Sequence, residues 1–437
     1  MPIRNLFVIA LTTMLSLACY SKAAKNKYAS LFAEAITTIE QEALQNVPRD
    51  ELFGYAMDGM TSKLDGHSRY IAGEMYKIFN EDLDQQFGGV GSYVETHPES
   101  GELMVLAPVH NGPAYNAGIQ SGDIFSEIKG LPAGEMERGE AVELIRGPRG
   151  TTVEVVMRRG TVEKRYQLER DFIHEPSVHG DYRNKDGTWN YHLRDYPSIG
   201  YIRLVQFGSK STEEIREALE SIDDDVESLI IDLRNNPGGL LDSAIEICDM
   251  FLPVDQKIVS IRGRNKSLKE EYFARVQPVI NPKKPVVVLI NRDSASASEV
   301  VSACLQDHGR AVVIGETSWG KGTVQHVIPM QQGRSALKLT TASYWRPSGI
   351  NIDRFDPEAI ESGDWGVKPN PDMEIEMTVE EVFENWQRRS LSDLRGLLEP
   401  EILKQRDQSK ILESPDKPLQ KAIEFLNSQE MEKRSAA

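Results

Sequence analysis

The sequence predicts a multidomain α+β protein with an α/β core. Two apolar runs, Val286–Ile290 and residues 311–315, have the composition of buried strands. Between them, a turn of small residues leads into a helix that starts near Ser296. Apolar residues recur there at helical spacing: Val300, Val301, Cys304 and Leu305. Strand, turn, helix and strand form a βαβ unit, and α/β folds bind ligands where such turns follow a strand.

Length and composition indicate a globular protein of two to four domains, since the chain has 437 residues. A formal net charge of −17 argues against nucleic acid or an anionic membrane as the main partner. Cys248 and Cys304 fall on apolar positions of predicted helices, where a small buried thiol is usual. Because the chain has neither a CxxC pair nor an HExxH motif, we predict no metal site and no cofactor.

Residues 1–23 resemble a signal peptide, so we expect an exported protein. Arg4 supplies the positive charge, and residues 6–17 form an apolar segment too short to span a membrane. Residues 16–18 and 21–23 are both small-residue cleavage sites. Leu-Ala-Cys at Cys19 partly resembles a lipobox, although Ser16 replaces the usual leucine. The alternatives are a lipid anchor at Cys19, a plain secreted protein and, less consistent with the flanks, a buried N-terminal helix.

The segment from residue 24 to 170 is predicted to hold a helical region, 24–85, and a second domain, 86–170. The domain opens on a glycine-rich run whose backbone can turn so that successive N–H groups capture a terminal carboxylate. This run consists of Phe87, Gly88, Gly89, Val90 and Gly91. An extended peptide would then pair beside the next strand. Residues 113–124 and 141–147 complete a pattern that resembles a PDZ domain.

The chemistry of the core is predicted to rest on a hydroxyl and an amine. Ser296 lies at a helix start, where free N–H groups can hold a developing oxyanion. Lys321, between two glycines, can act as its base if burial lowers the pKa of its amine. If residues 321–325 form a strand, Gln325 points to the same face as Lys321 and can hold it.

Two alternatives come from the same residues. Ser296 and Glu299 fit a capping box, which would give Ser296 a structural role. His308 is a poor base because it lies 12 residues along the helix, about 18 Å away. His326 alternates away from the face of Lys321, so lysine is the better candidate.

A second strand-to-helix turn comes earlier in the core. Residues 229–233 read as a buried strand and run into the sequence from Arg234 to the Gly238–Gly239 pair, after which a helix starts. A glycine pair in such a turn exposes backbone N–H groups. Taken alone, the pattern is more typical of a plain tight turn.

These motifs together resemble the carboxyl-terminal processing (tail-specific) serine–lysine peptidases. The matching stretches are SASASE, QDHGRAVVIGE and GKGTVQ, and the resemblance covers roughly residues 28–428. The 25-residue separation between Ser296 and Lys321 fits the family and selects Ser296 over Ser294 and Ser298. The resemblance implies a crotonase/ClpP-like core in which Ser296 is the nucleophile, Lys321 the general base and Gln325 the residue that orients the lysine.

The resemblance also implies an oxyanion hole, supporting residues and partners. Gly238 or Gly239 would act with the N–H of Ala297, and the supporting residues are Arg234, Glu299 and Asp307. The PDZ domain would select protein substrates by their free C-termini. An activating or adaptor protein is a further possible partner, and so is a second copy of the chain. Residues 171–377 would form the peptidase core and 378–437 a helical tail. Two alternatives remain: a PDZ adaptor with a dormant protease fold, and an acyl-transfer enzyme of the crotonase type.

Overall fold

The computed structural model describes Thr12, Met14 and residues 27–97, 100–109, 111–184, 187–222, 225–395 and 415–436. The predicted leader, with Cys19, lies outside these residues except for Thr12 and Met14. The chain divides into two compact units, residues 1–76 with 325–340, and residues 77–324 with 341–437.

The helices of the described residues are numbered in chain order. They are α1 (Lys27–Glu42), α2 (Arg49–Thr61), α3 (Gly73–Asp84), α4 (Pro113–Asn116), α5 (Arg138–Ile145), α6 (Ser211–Ile222), α7 (Leu241–Asp249), α8 (Ala297–Asp307), α9 (Pro357–Ser362), α10 (Val379–Arg395) and α11 (Lys417–Ala436).

The strands from residue 69 to residue 174 are β1 (Arg69–Ala72), β2 (Gln86–Gly89), β3 (Ser92–Thr96), β4 (Leu103–Pro108), β5 (Ile124–Ile128), β6 (Leu131–Pro132), β7 (Thr152–Arg159), β8 (Val162–Glu169) and β9 (Asp171–His174). The remaining strands are β10 (Val178–His179), β11 (Tyr182–Arg183), β12 (Trp189–Asn190), β13 (His192–Leu193), β14 (Tyr196–Leu204), β15 (Ser228–Asp232), β16 (Lys257–Arg262), β17 (Leu268–Phe273), β18 (Val286–Ile290), β19 (Val312–Gly315), β20 (Thr323–Met330) and β21 (Ser335–Trp345).

In the smaller unit, β1 pairs antiparallel with the first half of β21, so that Arg69 lies opposite Lys338. The loop before β1 is organised by Asp65, whose Oδ1 accepts hydrogen bonds from the N–H groups of His67 and Ser68, each at 2.7 Å. His67 therefore lies in a loop that Asp65 holds in an Asx-type turn, and we assign His67 a structural role.

The PDZ-like part of the larger unit is an antiparallel sheet in the order β3-β4-β5-β7-β8, with β6 paired to β5. Alternate residues of these strands point inward and pack with Ala141 of α5 around Val105, Ile128 and Val155. In this sheet β3 is an edge strand, and it contacts α5. An edge strand beside a helix offers the groove into which a peptide can add as a further strand.

The core sheet has the order β10-β14-β15-β18-β19, and β14, β15, β18 and β19 run parallel. All five residues of β18 are buried, as expected for a parallel strand covered on both faces. Residues of α6, α7 and α8 pack on one face of the sheet. On the other face, Leu419, Ala422 and Leu426 of α11 pack against Tyr201 and its neighbours. The C-terminal part of the predicted helical tail therefore packs on the core sheet.

The predicted fold class is confirmed: the chain is a multidomain α+β protein with an α/β core and, before it, a PDZ-like antiparallel sheet with its own hydrophobic core. Element ends differ slightly from the sequence-based expectation. β19 starts at Val312, and β20 starts at Thr323, two residues after Lys321. Lys321 is therefore not part of β20, and the alternation of side chains along this strand does not place Lys321 on the same face as Gln325. Among the described residues, no helix is long and apolar enough to cross a membrane.

Candidate active site

Ser296 lies in the turn between β18 and α8, in a backbone conformation that L-residues rarely adopt. Its φ is 57° and its ψ is −114°, a region populated mainly by glycine. The residue is the N-cap of α8, and only 6% of its surface is exposed. A serine held in a strained turn between a strand and a helix is typical of nucleophile positions.

The two neighbouring serines have structural hydrogen bonds. The hydroxyl of Ser294 donates to the carbonyl of Leu233 at 2.8 Å, and that of Ser298 donates to the carbonyl of Asn236 at 2.9 Å. Both serines are fully buried. In the described part of the chain, the hydroxyl of Ser296 donates to no backbone carbonyl. Of the three serines, Ser296 is therefore the one whose hydroxyl is not tied to the backbone of the preceding strand-to-helix turn.

Glu299 is a fully buried carboxylate with four hydrogen-bond donors. Its Oε2 accepts from the N–H of Ser296 and from the N–H of Lys321, each at 2.8 Å. Its Oε1 accepts from the N–H of Gly320 at 2.6 Å and from the hydroxyl of Ser318 at 2.5 Å. Burial raises the pKa of Glu299, although these hydrogen bonds favour its ionised form.

The capping box that the sequence predicts around Ser296 therefore exists, and Glu299 extends it. The same carboxylate that caps α8 also holds the backbone of the Gly-Lys-Gly segment. Capping and a catalytic role for Ser296 are thus compatible, because the cap fixes the backbone of Ser296.

Lys321 is half-buried and lies between β19 and β20. Its segment is tied to the turn of Ser296 a second time, because the N–H of Trp319 donates to the carbonyl of Ser294 at 2.9 Å.

Gln325 belongs to the smaller unit and is half-buried on β20. Its Nε2 donates to the hydroxyl of Thr340 at 3.2 Å, and that hydroxyl donates to Oδ1 of Asp65 at 3.1 Å. The amide is thereby held in one orientation by a short chain of side chains.

The Gly238–Gly239 turn lies against Ser296. A Cβ atom on Gly238 would lie 2.8 Å from Cβ of Ser296 and 2.9 Å from the nitrogen of Ala297, so a side chain is excluded. The N–H of Gly238 donates to Oδ1 of Asn236 at 2.8 Å. In the described part of the chain, the N–H groups of Gly239 and Ala297 have no acceptor. These two are the groups that the present conformation leaves available for an oxyanion.

Asn236, which the sequence analysis did not single out, connects the two turns. It is fully buried, and its Nδ2 donates to the carbonyl of Leu204 at 2.7 Å. Its own carbonyl accepts from the N–H of Ala295 at 3.0 Å, next to Ser296. The available signal was an asparagine before Pro-Gly-Gly in a strand-to-helix turn, where a side-chain amide commonly bonds the backbone.

Arg234 and Asp307 each form a buried ion pair. Arg234 donates to Asp232 at 2.6 Å and to Asp416 at 2.7 Å, just before α11. Burial alone would raise the pKa of Asp416, but the charge of Arg234 outweighs it and lowers that pKa. Asp307 pairs at 2.5 Å with Arg346, which follows β21. The arginine fixes the C-terminal helix, and the aspartate fixes β21 to the end of α8.

The glycine-rich run of the PDZ domain is divided between a strand and a loop. Phe87, Gly88 and Gly89 belong to β2, which pairs antiparallel with β9, while Val90 is buried in the domain core. Gly91 follows with a φ of 70°. The carbonyl of Gly88 accepts from the N–H of Gly147 at 3.1 Å, just past the end of α5. The run thus lies at the end of the groove between β3 and α5.

His308 lies at the far end of α8 from Ser296, where its Nε2 is 2.6 Å from the carbonyl of Lys257. His326 lies on β20 in the smaller unit. In the ranges that the structure describes, no cluster of three or more His, Cys, Asp or Glu side chains could hold a metal ion.

Comparison with known proteins matches two parts of the chain to family models. Residues 198–368 match peptidase family S41, and residues 104–159 match a PDZ domain. A carboxy-terminal-processing protease of Bartonella bacilliformis is 36% identical over 359 residues, which cover 80% of this chain and 76% of that protein. The carboxy-terminal processing protease CtpB of Bacillus subtilis is 33% identical over an alignment that covers 74% of this chain and 65% of that protein.

The solved structure of a photosystem II D1 C-terminal processing protease aligns with 84% of this chain, and the alignment covers 95% of that protein's chain. The aligned sequences are 24% identical, and the TM-score is 0.45. The two matched ranges contain the Gly238, Ser296 and Lys321 turns and most of the PDZ-like sheet. The family expected from the sequence is confirmed, and the chain belongs to the carboxy-terminal processing serine proteases of peptidase family S41.

Proposed function

We propose that this protein is an exported serine endopeptidase that cleaves protein substrates with a Ser296–Lys321 dyad. The observation that carries the proposal is the shared carboxylate oxygen of Glu299, which holds the backbones of both residues at 2.8 Å. A nucleophile and its base must be held in fixed register for proton transfer to be efficient. The strained conformation of Ser296 adds independent support.

The reaction follows from the groups at the site. The neutral amine of Lys321 takes the proton of the Ser296 hydroxyl while the oxygen attacks the substrate carbonyl carbon. The resulting oxyanion accepts hydrogen bonds from the N–H of Ala297 and from that of Gly239 or Gly238. Lys321 then returns the proton to the leaving amine, and water hydrolyses the acyl-enzyme. Gln325, held by Thr340, orients the lysine amine.

The PDZ domain would select substrates by their C-termini. The groove between β3 and α5 accepts an extended peptide by main-chain pairing, and the run from Phe87 to Gly91 would bind the terminal carboxylate. Relatives named carboxy-terminal processing proteases support this substrate class. The leader of residues 1–23 supports export to the periplasm or envelope, with a lipid anchor at Cys19 as one form of attachment.

The dyad is tested with Ser296→Ala and Lys321→Met variants acting on an unstructured protein. We expect both to lose activity by at least about 100-fold while retaining the wild-type melting temperature within a few degrees. Undiminished cleavage by Lys321→Met would contradict the base assignment. Retained binding of peptide C-termini by a wild-type protein that cleaves nothing would favour the adaptor alternative, and turnover of an acyl-thioester alone would favour acyl transfer.

A further inference from the structure

The loop that follows β21 packs against the segment that carries Lys321. The N–H of Arg354 donates to the carbonyl of Gly320 at 3.0 Å, and a Cβ atom on Gly320 would lie 2.7 Å from the Cβ atom of Arg354. On the other side of Lys321, a Cβ atom on Gly322 would collide with the backbone of Asp353. The two glycines therefore let this loop approach the backbone on both sides of the proposed base.

The side chain of Arg354 lies over two aromatic rings. Its Cζ atom is 4.1 Å from the centre of the Trp319 ring and 4.8 Å from that of the Phe355 ring. Its Nη1 also donates to the carbonyl of Trp319 at 3.2 Å. Both rings are open to solvent, since 39% of Trp319 and 63% of Phe355 is exposed. Stacking and the hydrogen bond hold the guanidinium in place without neutralising its charge.

The guanidinium of Arg354 has no acidic partner in the part of the chain that the structure describes. The acidic residues of its own loop have other contacts. Oδ1 of Asp353 accepts from a backbone N–H of the loop at 3.1 Å, and Oδ1 of Asp356 accepts from the N–H of Glu358 at 3.0 Å. Glu358 in turn pairs with Lys266 at 2.6 Å. Among the described residues, the N–H donors on Nε and Nη2 of Arg354 therefore have no acceptor.

We propose that Arg354 binds a carboxylate of the substrate next to the peptide bond that Ser296 attacks. The inference rests on the proposed dyad, because Arg354 contacts the segment of Lys321. An arginine stays charged at any ordinary pH, and its guanidinium donates two parallel hydrogen bonds to a carboxylate. An acidic side chain and a free C-terminus close to the cleaved bond both offer this group. The rings of Trp319 and Phe355 would pack against apolar parts of the same substrate residues.

The test uses a peptide that the wild-type protein cleaves at a position identified by mass spectrometry. At each position beside the cleaved bond, kcat/KM is compared for Glu and for Gln. A shortened peptide compares a free C-terminal carboxylate near the bond with its amide. We expect the wild-type protein to cleave the favoured carboxylate peptide about 10-fold faster than its neutral partner.

The variants assign this preference to a residue. Arg354→Gln should cleave the two members of the favoured pair at similar rates, and Arg354→Lys, which keeps the charge but not the planar fork, should retain part of the preference. Arg275→Gln removes the same charge from another exposed arginine. It is the matched control and should keep the full preference. Whether the Glu–Gln pairs or the carboxylate–amide pair respond identifies the source of the carboxylate.

A wild-type protein with no preference for a carboxylate at any position would overturn the proposal, and this comparison needs no variant to fold. A preference that survives undiminished in Arg354→Gln would also overturn it, because that variant retains the PDZ domain as another source of selection. A wild-type protein that cleaves no peptide at all would instead contradict the proposed function, so the two failures are distinguishable.

Discussion

Ser296 and Lys321 donate their backbone N–H groups to the same oxygen, Oε2 of Glu299, each at 2.8 Å. The two residues are 25 positions apart and come from different turns. One fully buried carboxylate therefore holds the backbones of the proposed nucleophile and the proposed base together. This connection implies that the proposed dyad depends on Glu299, although no chemical step is assigned to Glu299.

Glu299→Gln replaces one of two accepting oxygens with an NH₂ group that would face backbone donors. We expect a loss of about 2–4 kcal/mol in stability and at least a 100-fold loss in kcat, because the two turns lose their common anchor. Thermal unfolding and peptide cleavage measure the two effects. Glu246→Gln, on the exposed side of α7, is the control and should change neither. Wild-type kcat in Glu299→Gln would show that the shared oxygen is not needed.

The strained backbone of Ser296 makes a second prediction. Glycine relieves a φ of 57° with a ψ of −114°, whereas alanine does not, so Ser296→Gly should be about 1 kcal/mol more stable than Ser296→Ala. Both variants lose the hydroxyl and should be inactive, which isolates the backbone effect. Denaturant unfolding of the two proteins side by side decides the matter. Equal stabilities would mean that the turn carries no strain.

The chain from Gln325 through Thr340 to Asp65 predicts an effect of a residue remote in sequence. Burial would raise the pKa of Asp65, but hydrogen bonds from Ser68, His67 and Thr340 lower it below its usual value, so it is an ionised acceptor. Asp65→Asn removes the charge that these hydrogen bonds favour and should lower the stability of the protein by about 1–2 kcal/mol in thermal unfolding. Asp58→Asn, on α2, is the control and should unfold at the wild-type temperature. An unchanged unfolding temperature in Asp65→Asn would contradict the role of Asp65 in this chain of hydrogen bonds.

The last of these predictions concerns acid and the docking of α10. Burial would raise the pKa of Asp393, but a hydrogen bond from His179 and the charge of Arg203 lower it to about 2. A folded pKa below the unfolded value of 3.8 stabilises the fold above about pH 4, and this contribution is lost as the pH falls toward 2.

Asp393→Asn should therefore weaken α10 by about 2 kcal/mol at pH 7, with the difference from wild type vanishing near pH 2. Amide hydrogen exchange of α10 reports this local opening, because the helix can open without global unfolding. Asp364→Asn, whose ion pair with Lys368 is exposed, serves as the control. A difference that does not depend on pH would contradict the assigned ionisation.

Local sequence patterns predicted the parts of the site that lie within short motifs. The turn around Ser296, its capping by Glu299 and the glycine pair at 238–239 are each defined by residues a few positions apart. The contact of Glu299 with the N–H of Lys321 was not predicted, because the two residues are 22 positions apart and meet only in the folded chain. The same is true of the chain from Asp65 to Gln325, whose members come from three separate segments.

The most direct test of the account compares the mature protein with Ser296→Ala on an unstructured protein that ends in apolar residues. The substrate is supplied with a free C-terminal carboxylate and with the same end blocked as an amide. We predict that wild type cleaves the free-ended substrate at least about 10-fold faster than the blocked one, and that Ser296→Ala cleaves neither. Equal cleavage by the two enzymes would contradict Ser296 as nucleophile, and equal cleavage of the two substrates would contradict selection by the C-terminus.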